Sequence, residues 1–174
     1  MHIVSDEASA TDVDTGAAAE GGESGDSGNV VLLTGGSGFL AAFLIRALLH
    51  NPPPPHGRTG SSAAATAPAR LVCLVRAADD AAALERLRSV LQTYELSSDD
   101  DAVCTWLKAP GSVLAGDVTR PRLGLSATEH AALVARLRCV VHCAVVVSSA
   151  LPYEALRLSN VVGTCRAMRL AAAA

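Results

Sequence analysis

A short, unbroken apolar run, Val30-Val31-Leu32-Leu33, ends in Thr34-Gly35-Gly36-Ser37-Gly38 and gives way at once to a helical pattern. Few folds accommodate that succession. A continuous apolar run of this length is expected of a strand buried on both faces, not of one that alternates between core and water. The helix that follows is predicted from Phe39 to about His50, with Leu40, Phe43, Leu44, Ala47 and Leu48 at three- and four-residue spacing. Asn51 and the four prolines after it stop it.

The unit then repeats. Residues 70–75 form a second buried-strand candidate, and Asp79 or Asp80 can cap a helix running to about Tyr94, with Leu84, Leu87, Val90 and Leu91 on one face. A shorter helix is predicted around 101–108. Residues 112–115 read as a third strand ending in Gly116-Asp117-Val118. Ser126 with Glu129 three residues on is a capping box, opening a helix to about Leu137. Residues 139–144 are a fourth strand, and a last helix is predicted from about Asn160. Strands alternating with helices imply right-handed parallel crossovers. The predicted fold class is α/β: a Rossmann-like doubly wound parallel sheet. No strand follows the fourth and the sequence runs out inside a helix, so the sheet is expected to be truncated after about four strands.

Composition sets the remaining bounds. Half of the 174 residues are apolar, which excludes a wholly disordered chain. Only five residues are aromatic, so the core must rest on Leu, Val and Ala. Residues 1–28 hold seven acids and no Lys or Arg among Gly, Ser and Ala, and are expected to be a disordered acidic arm. Residues 29–174 are then one domain, with a Pro/Ala-rich insertion at 51–69. Outside the arm, ten acids face fourteen bases, well short of a nucleic-acid footprint. No apolar run approaches the roughly 18 residues of a membrane span. The five cysteines form no CxxC pair. They read as small buried hydrophobes in a reducing compartment, hence a cytoplasmic location, and no metal site is expected.

Gly35-x-x-Gly38-x-x-Ala41 between a buried strand and a helix carries the chemistry. The first glycine permits a tight turn, the second a close approach of backbone to a pyrophosphate, and the third position close helix–strand packing. The helix start adds free N–H groups and the positive end of its dipole. The same residues would also serve a purely structural turn. Placement after the first strand favours dinucleotide binding. Arg76 ends the second strand, where an arginine accommodates a ribose 2′-phosphate. It lies 41 residues beyond Gly35, twice the usual interval of roughly 20, and the Pro-rich insertion accounts for the excess. A solvated arginine is the alternative. Asp117 ends the third strand and can meet an adenine or simply shape its turn. His142, inside the fourth strand, reads as a satisfied core residue.

Seven segments fall in a familiar order: Leu33-Thr-Gly-Gly-Ser-Gly-Phe-Leu40, Cys73-Leu-Val-Arg-Ala77, Glu85-Arg-Leu87, Gly116-Asp-Val118, Leu123-Gly-Leu-Ser126, His142-Cys-Ala144, and Leu151-Pro-Tyr153 with Asn160-Val-Val-Gly-Thr164. Together they resemble the N-terminal part of the thioester reductase domains, extended short-chain dehydrogenase/reductases of the male-sterility and fatty acyl-CoA reductase type. The resemblance implies NADP(H)-dependent reduction of an acyl thioester, borne on an acyl or peptidyl carrier domain or on CoA, to an aldehyde or alcohol. It implies that Gly35, Ser37, Gly38, Phe39 and Leu40 meet the cofactor phosphates. Arg76 and Arg86 would face the 2′-phosphate, Asp117 and Val118 the adenine, and Ala144 the ribose side. Ala41 replaces the family's third glycine, and Val145-Val-Val-Ser-Ser149 stands where polar residues are usual. A fatty acyl-CoA reductase fragment and a non-catalytic nucleotide-binding remnant are the alternatives.

The family's chemistry needs a Ser or Thr and a Tyr-x-x-x-Lys pair, in which the lysine lowers the tyrosine pKa and the tyrosine donates a proton. Lys108 is the one lysine, and Cys104 stands four residues before it. Tyr94 and Tyr153 are followed at that spacing by Ser98 and Arg157. No catalytic residue is therefore assigned within these 174 residues.

Overall fold

The computed structural model describes residues 29–52, 69–97 and 100–174. The acidic arm and nearly all of the Pro-rich insertion lie outside the described residues. Four strands, β1 (Val30–Thr34), β2 (Arg70–Val75), β3 (Val113–Ala115) and β4 (Leu137–His142), form one parallel sheet in the order β3-β2-β1-β4. The chain thus builds outward from β1 to β3 and then crosses back to the other side of β1. That reversal opens a crevice beyond the carboxyl ends of β1 and β4, where ligands of such sheets bind.

The unbroken apolar run of β1 is explained by two cores, one on each face. Val31 and Leu33 join Leu71, Cys73 and Val75 beneath α1 (Phe39–His50), α2 (Asp80–Thr93) and α3 (Asp101–Lys108). Val30 and Leu32 join Val72, Leu74, Leu133 and Leu170 beneath α4 (Ala127–Arg136) and α6 (Gly163–Ala173). Trp106, buried in the first core, donates its indole N–H to the Leu71 carbonyl at 2.9 Å.

The face of α1 differs from its apolar spacing. Ala41, Ala42 and Ile45 are buried, whereas Leu40 and Phe43 are exposed. Small side chains let the helix lie close to the sheet, so the large ones splay to its sides. Three helices are capped by side chains, two of them, α2 and α4, as their sequences predict. Asp79 accepts from Ala82 N–H, Asp100 from Ala102 and Val103 N–H, and Ser126 and Glu129 close a full capping box. At α1 the cap position is Gly38, and no side chain satisfies the first N–H groups.

Two elements moved, and the first, β4, also ends earlier, at His142 rather than Ala144. β4 begins at Leu137 rather than Cys139, because an irregularity between Val30 and Val31 admits Arg138 as an extra residue in the pairing. The last helical segment starts well before Asn160. Pro152 opens α5 (Tyr153–Arg157), which runs through one wide turn at Leu158–Val162 into α6. In that turn Gly163 N–H reaches back five residues to the Leu158 carbonyl.

Candidate functional site

A cleft of about 240 Å3 opens where the ends of β1, β2 and β3 meet the chain leaving β4. Its floor is the turn after β1. Gly35 has φ +73°, and a Cβ there would lie 2.7 Å from the Ala144 Cα and N and the Cys143 carbonyl carbon. Only glycine lets this turn press against the backbone that follows β4. Gly38 N–H donates back to the Gly35 carbonyl at 2.8 Å, closing the turn just before the uncapped start of α1. Four N–H groups at a helix start lack partners within the helix, and here no side chain among the described residues supplies one.

The rim combines a free cation with a braced one. Arg86 Nη1 donates to the Arg76 carbonyl at 3.0 Å, tying α2 to the end of β2. The Arg76 side chain lines the cleft and makes no hydrogen bond or ion pair among the described residues. Asp117 Oδ1 accepts from both the N–H and the hydroxyl of Thr119, at 2.8 and 2.7 Å. Its backbone N–H donates to the Leu123 carbonyl at 2.7 Å. Asp117 therefore shapes its own turn and also lines the cleft.

The far wall is the segment after β4, held by side chains of the last helical stretch. Asn160 in the wide turn makes two bonds to one residue. Its Oδ1 accepts from Val146 N–H at 2.8 Å and its Nδ2 donates to the Val146 carbonyl at 2.9 Å, as a neighbouring strand would. Gly163 lets α6 approach Val118, whose Cγ2 would lie 2.9 Å from a Cβ at that position. Thr164 Oγ1 donates to the Asn160 carbonyl at 2.6 Å, so it accepts from His142 Nε2 at 3.1 Å. His142 Nδ1 then accepts from the Thr34 hydroxyl at 2.7 Å. The neutral ring with its proton on Nε2 satisfies that chain of bonds. Burial favours the same neutral form and lowers the His142 pKa below its usual value. His142 is thus a satisfied structural link between β1, β4 and α6, as its place within a strand suggested.

Eight of the ten residues singled out for a cofactor line this cleft: Gly35, Ser37, Gly38, Arg76, Arg86, Asp117, Val118 and Ala144. Phe39 and Leu40 do not line it. Their side chains point outward, and the Phe39 ring packs edge-on against Phe43 and Tyr94 at 5.1 and 5.4 Å. What they can offer the cleft is the backbone of the first helical turn. Sequence reasoning missed Leu74, Gly116, Thr119, Cys143, Val145, Val146 and Ser159. The two valines stand in the segment whose apolar character had marked it as a departure from the family pattern, and they form one wall. Among the described residues no helix is long and apolar enough to cross a membrane, and no group of His, Cys, Asp and Glu could hold a metal ion.

The male sterility protein family of NAD-binding domains matches residues 33–174, nearly the whole described chain. The chain belongs to this family. Within it, the chain is 39% identical over 145 residues to one of the subunits of linear gramicidin synthase from Brevibacillus parabrevis. It is 37% identical over 142 residues to the L-2-aminoadipate reductase large subunit of Penicillium chrysogenum. Each match covers 82% of this chain but only 2% and 9% of those relatives. Among solved structures, the reductase domain of a nonribosomal peptide synthetase from Mycobacterium tuberculosis superposes with a TM-score of 0.58 at 32% identity. The match covers 85% of this chain and 32% of that one. This family member thus corresponds to about a third of such a reductase domain. The likeness extends to its parallel sheet and flanking helices.

Proposed function

We propose that this chain is the NADPH-binding portion of a thioester reductase, which reduces an acyl group held on a carrier domain or on CoA to an aldehyde or alcohol. One observation carries the reading. An uncapped helix start, a glycine turn with no room for a side chain and an unpaired guanidinium share a single cleft. Those are the features that a pyrophosphate and a ribose phosphate require. When bound, the reduced nicotinamide supplies a hydride to the thioester carbonyl carbon. The chain's own residues bind and orient. Gly35, Ser37, Gly38 and the backbone N–H groups of Phe39 and Leu40 take the phosphates. Arg76 takes the 2′-phosphate, with Arg86 bracing the backbone beneath it. Asp117 and Val118 border the adenine, and Ala144 the ribose. No Tyr-x-x-x-Lys pair is present, so none of these 174 residues is assigned the proton donation. The reading places the protein in the cytoplasm, in keeping with five free cysteines among the described residues. It also leaves residues 1–28 as an acidic arm apart from the cofactor-binding unit.

The test is a titration of NADPH and NADH against the chain and two variants. Charge-assisted arginine–phosphate bonds contribute about 1.5–3 kcal/mol, so Arg76→Ala should weaken NADPH by roughly ten- to a hundredfold. NADH, with a hydroxyl at that place, should be almost unaffected. Arg76→Lys should recover part of the loss, because charge remains while the planar fork is gone. Equal losses for both cofactors would assign Arg76 to the shared pyrophosphate or to the fold, and the preference for NADPH would fall.

A further inference from the structure

Behind the loop that carries Asp117, a second cavity of about 390 Å3 opens between α4, α6 and the turn at residues 121–124. Among the described residues its walls hold Arg122, His130, Arg166 and Arg169 and no carboxylate. These four come from three separate elements, so their convergence is made by the fold and not by local sequence. Elsewhere the pattern differs: Arg46 and His50 both reach Asp100, a surface pairing of opposite charges. Arg122 and Arg169 have no side-chain partner among the described residues. Arg166 is fixed, because its Nη1 donates to the Val118 carbonyl at 3.2 Å, and its other N–H groups remain for the cavity.

Two further features shape the site. The turn presenting Arg122 holds two consecutive non-glycine residues in the left-handed region, Arg122 at φ 51° and Leu123 at φ 59°. Such backbone is costly and persists only where its surroundings hold it. Here the Leu123 carbonyl is anchored on Asp117 N–H and the Leu123 side chain is buried. Leu123 and Leu170 give the cavity an apolar lining, against which charge–charge interactions are screened less than in open water.

We propose that this cavity binds a tetrahedral oxyanion of the phosphate class, separately from the dinucleotide cleft. Guanidinium forks match the paired oxygens of a phosphate, and several cations without a counter-charge favour a dianion over chloride. The free ion and a phosphate monoester on a small molecule share this chemistry. Both serve as probes: inorganic phosphate and glycerol phosphate, added to the full chain with chloride balancing the ionic strength.

The expected result is saturable movement of the Leu123, His130 and Leu170 amide resonances, with a rise in the thermal midpoint. The tighter of the two probes identifies the source. Arg122→Gln and Arg169→Gln should each weaken binding about tenfold or more. Arg76→Gln, in the other cleft, should leave these resonances' response unchanged. Arg169→Lys, which keeps the charge, should lie between parent and Arg169→Gln and guards against a variant that fails to fold. Three outcomes would overturn the proposal: chloride alone giving the same response, movement confined to residues 35–39, or both glutamine variants binding phosphate as tightly as the parent.

Discussion

The two walls of the cleft at the strand ends are held in place by different physics. The β1–β2 wall rests on apolar burial: Leu32, Leu33 and Cys73 are wholly inaccessible, and helices cover both faces of β1. The β4 wall is only half-buried along most of its strand. Its position is set by individual contacts instead, namely the Asn160 amide on Val146, the Thr34–His142–Thr164 bonds and the missing Cβ at Gly163. A wall made by burial tolerates exchange among apolar residues of similar volume. A wall made by single polar contacts has no such latitude, and its failures should be local.

The largest effect should come where the two walls touch. Gly35→Ala puts a side chain into left-handed backbone and into the chain after β4. Strain and overlap together should cost about 4 kcal/mol in denaturant unfolding. A loss under about 1 kcal/mol would mean that the walls part easily. Next comes Leu32→Ala within β1, expected to cost about 3 kcal/mol and to lower the unfolding midpoint of the whole molecule. Asn160→Ala is the contrasting probe. It should cost only about 1 kcal/mol globally, the net value of a hydrogen bond or two. Amide exchange at Val146 should nevertheless rise sharply while exchange in β1 stays unchanged. Exchange rising equally in both strands would erase the distinction between the walls.

The smallest effect concerns pH. Burial lowers the His142 pKa in the folded chain, so the unfolded chain binds that proton more readily. The His142 contribution to stability is therefore intact above the unfolded value of about 6.5 and declines as pH falls from there towards the lowered folded value. A ring titration followed by NMR should place the His142 midpoint below 6.5. A midpoint above it would mean that the Thr34 and Thr164 hydroxyls, both able to accept from the ring, outweigh the effect of burial.

How far each wall was legible in the sequence follows the same division. The Val30–Leu33 run, the glycines and the Ser126–Glu129 box are local signals, and each element they predicted is present. Arg76 and Asp117 were legible because strand ends are where such a sheet gathers its ligand-facing residues. Leu40 and Phe43 were misleading, since apolar spacing does not tell which stripe of a helix is small enough to approach a sheet. The Asn160 clamp and the Thr164–His142 bond join residues 14 and 22 apart, and no periodicity announces them. The segment from Tyr153 onward was misread for a related reason. A wide turn interrupts the helical repeat, and with it the pattern by which a helix is recognised.

That turn has a geometric consequence. A helix advances about 100° per residue, so a turn with one surplus residue offsets everything before it from everything after it by that angle. Asn160 lies within the turn and Gly163 directly after it, one serving the cleft's valine wall and the other Val118. Deleting Val161 would let the turn relax to an ordinary helix. It would also swing the Asn160 amide about a quarter-turn away while Gly163 and Thr164 kept their places. The surplus residue acts as a phase shifter, letting one continuous rod address two surfaces that an ideal helix could not face at once.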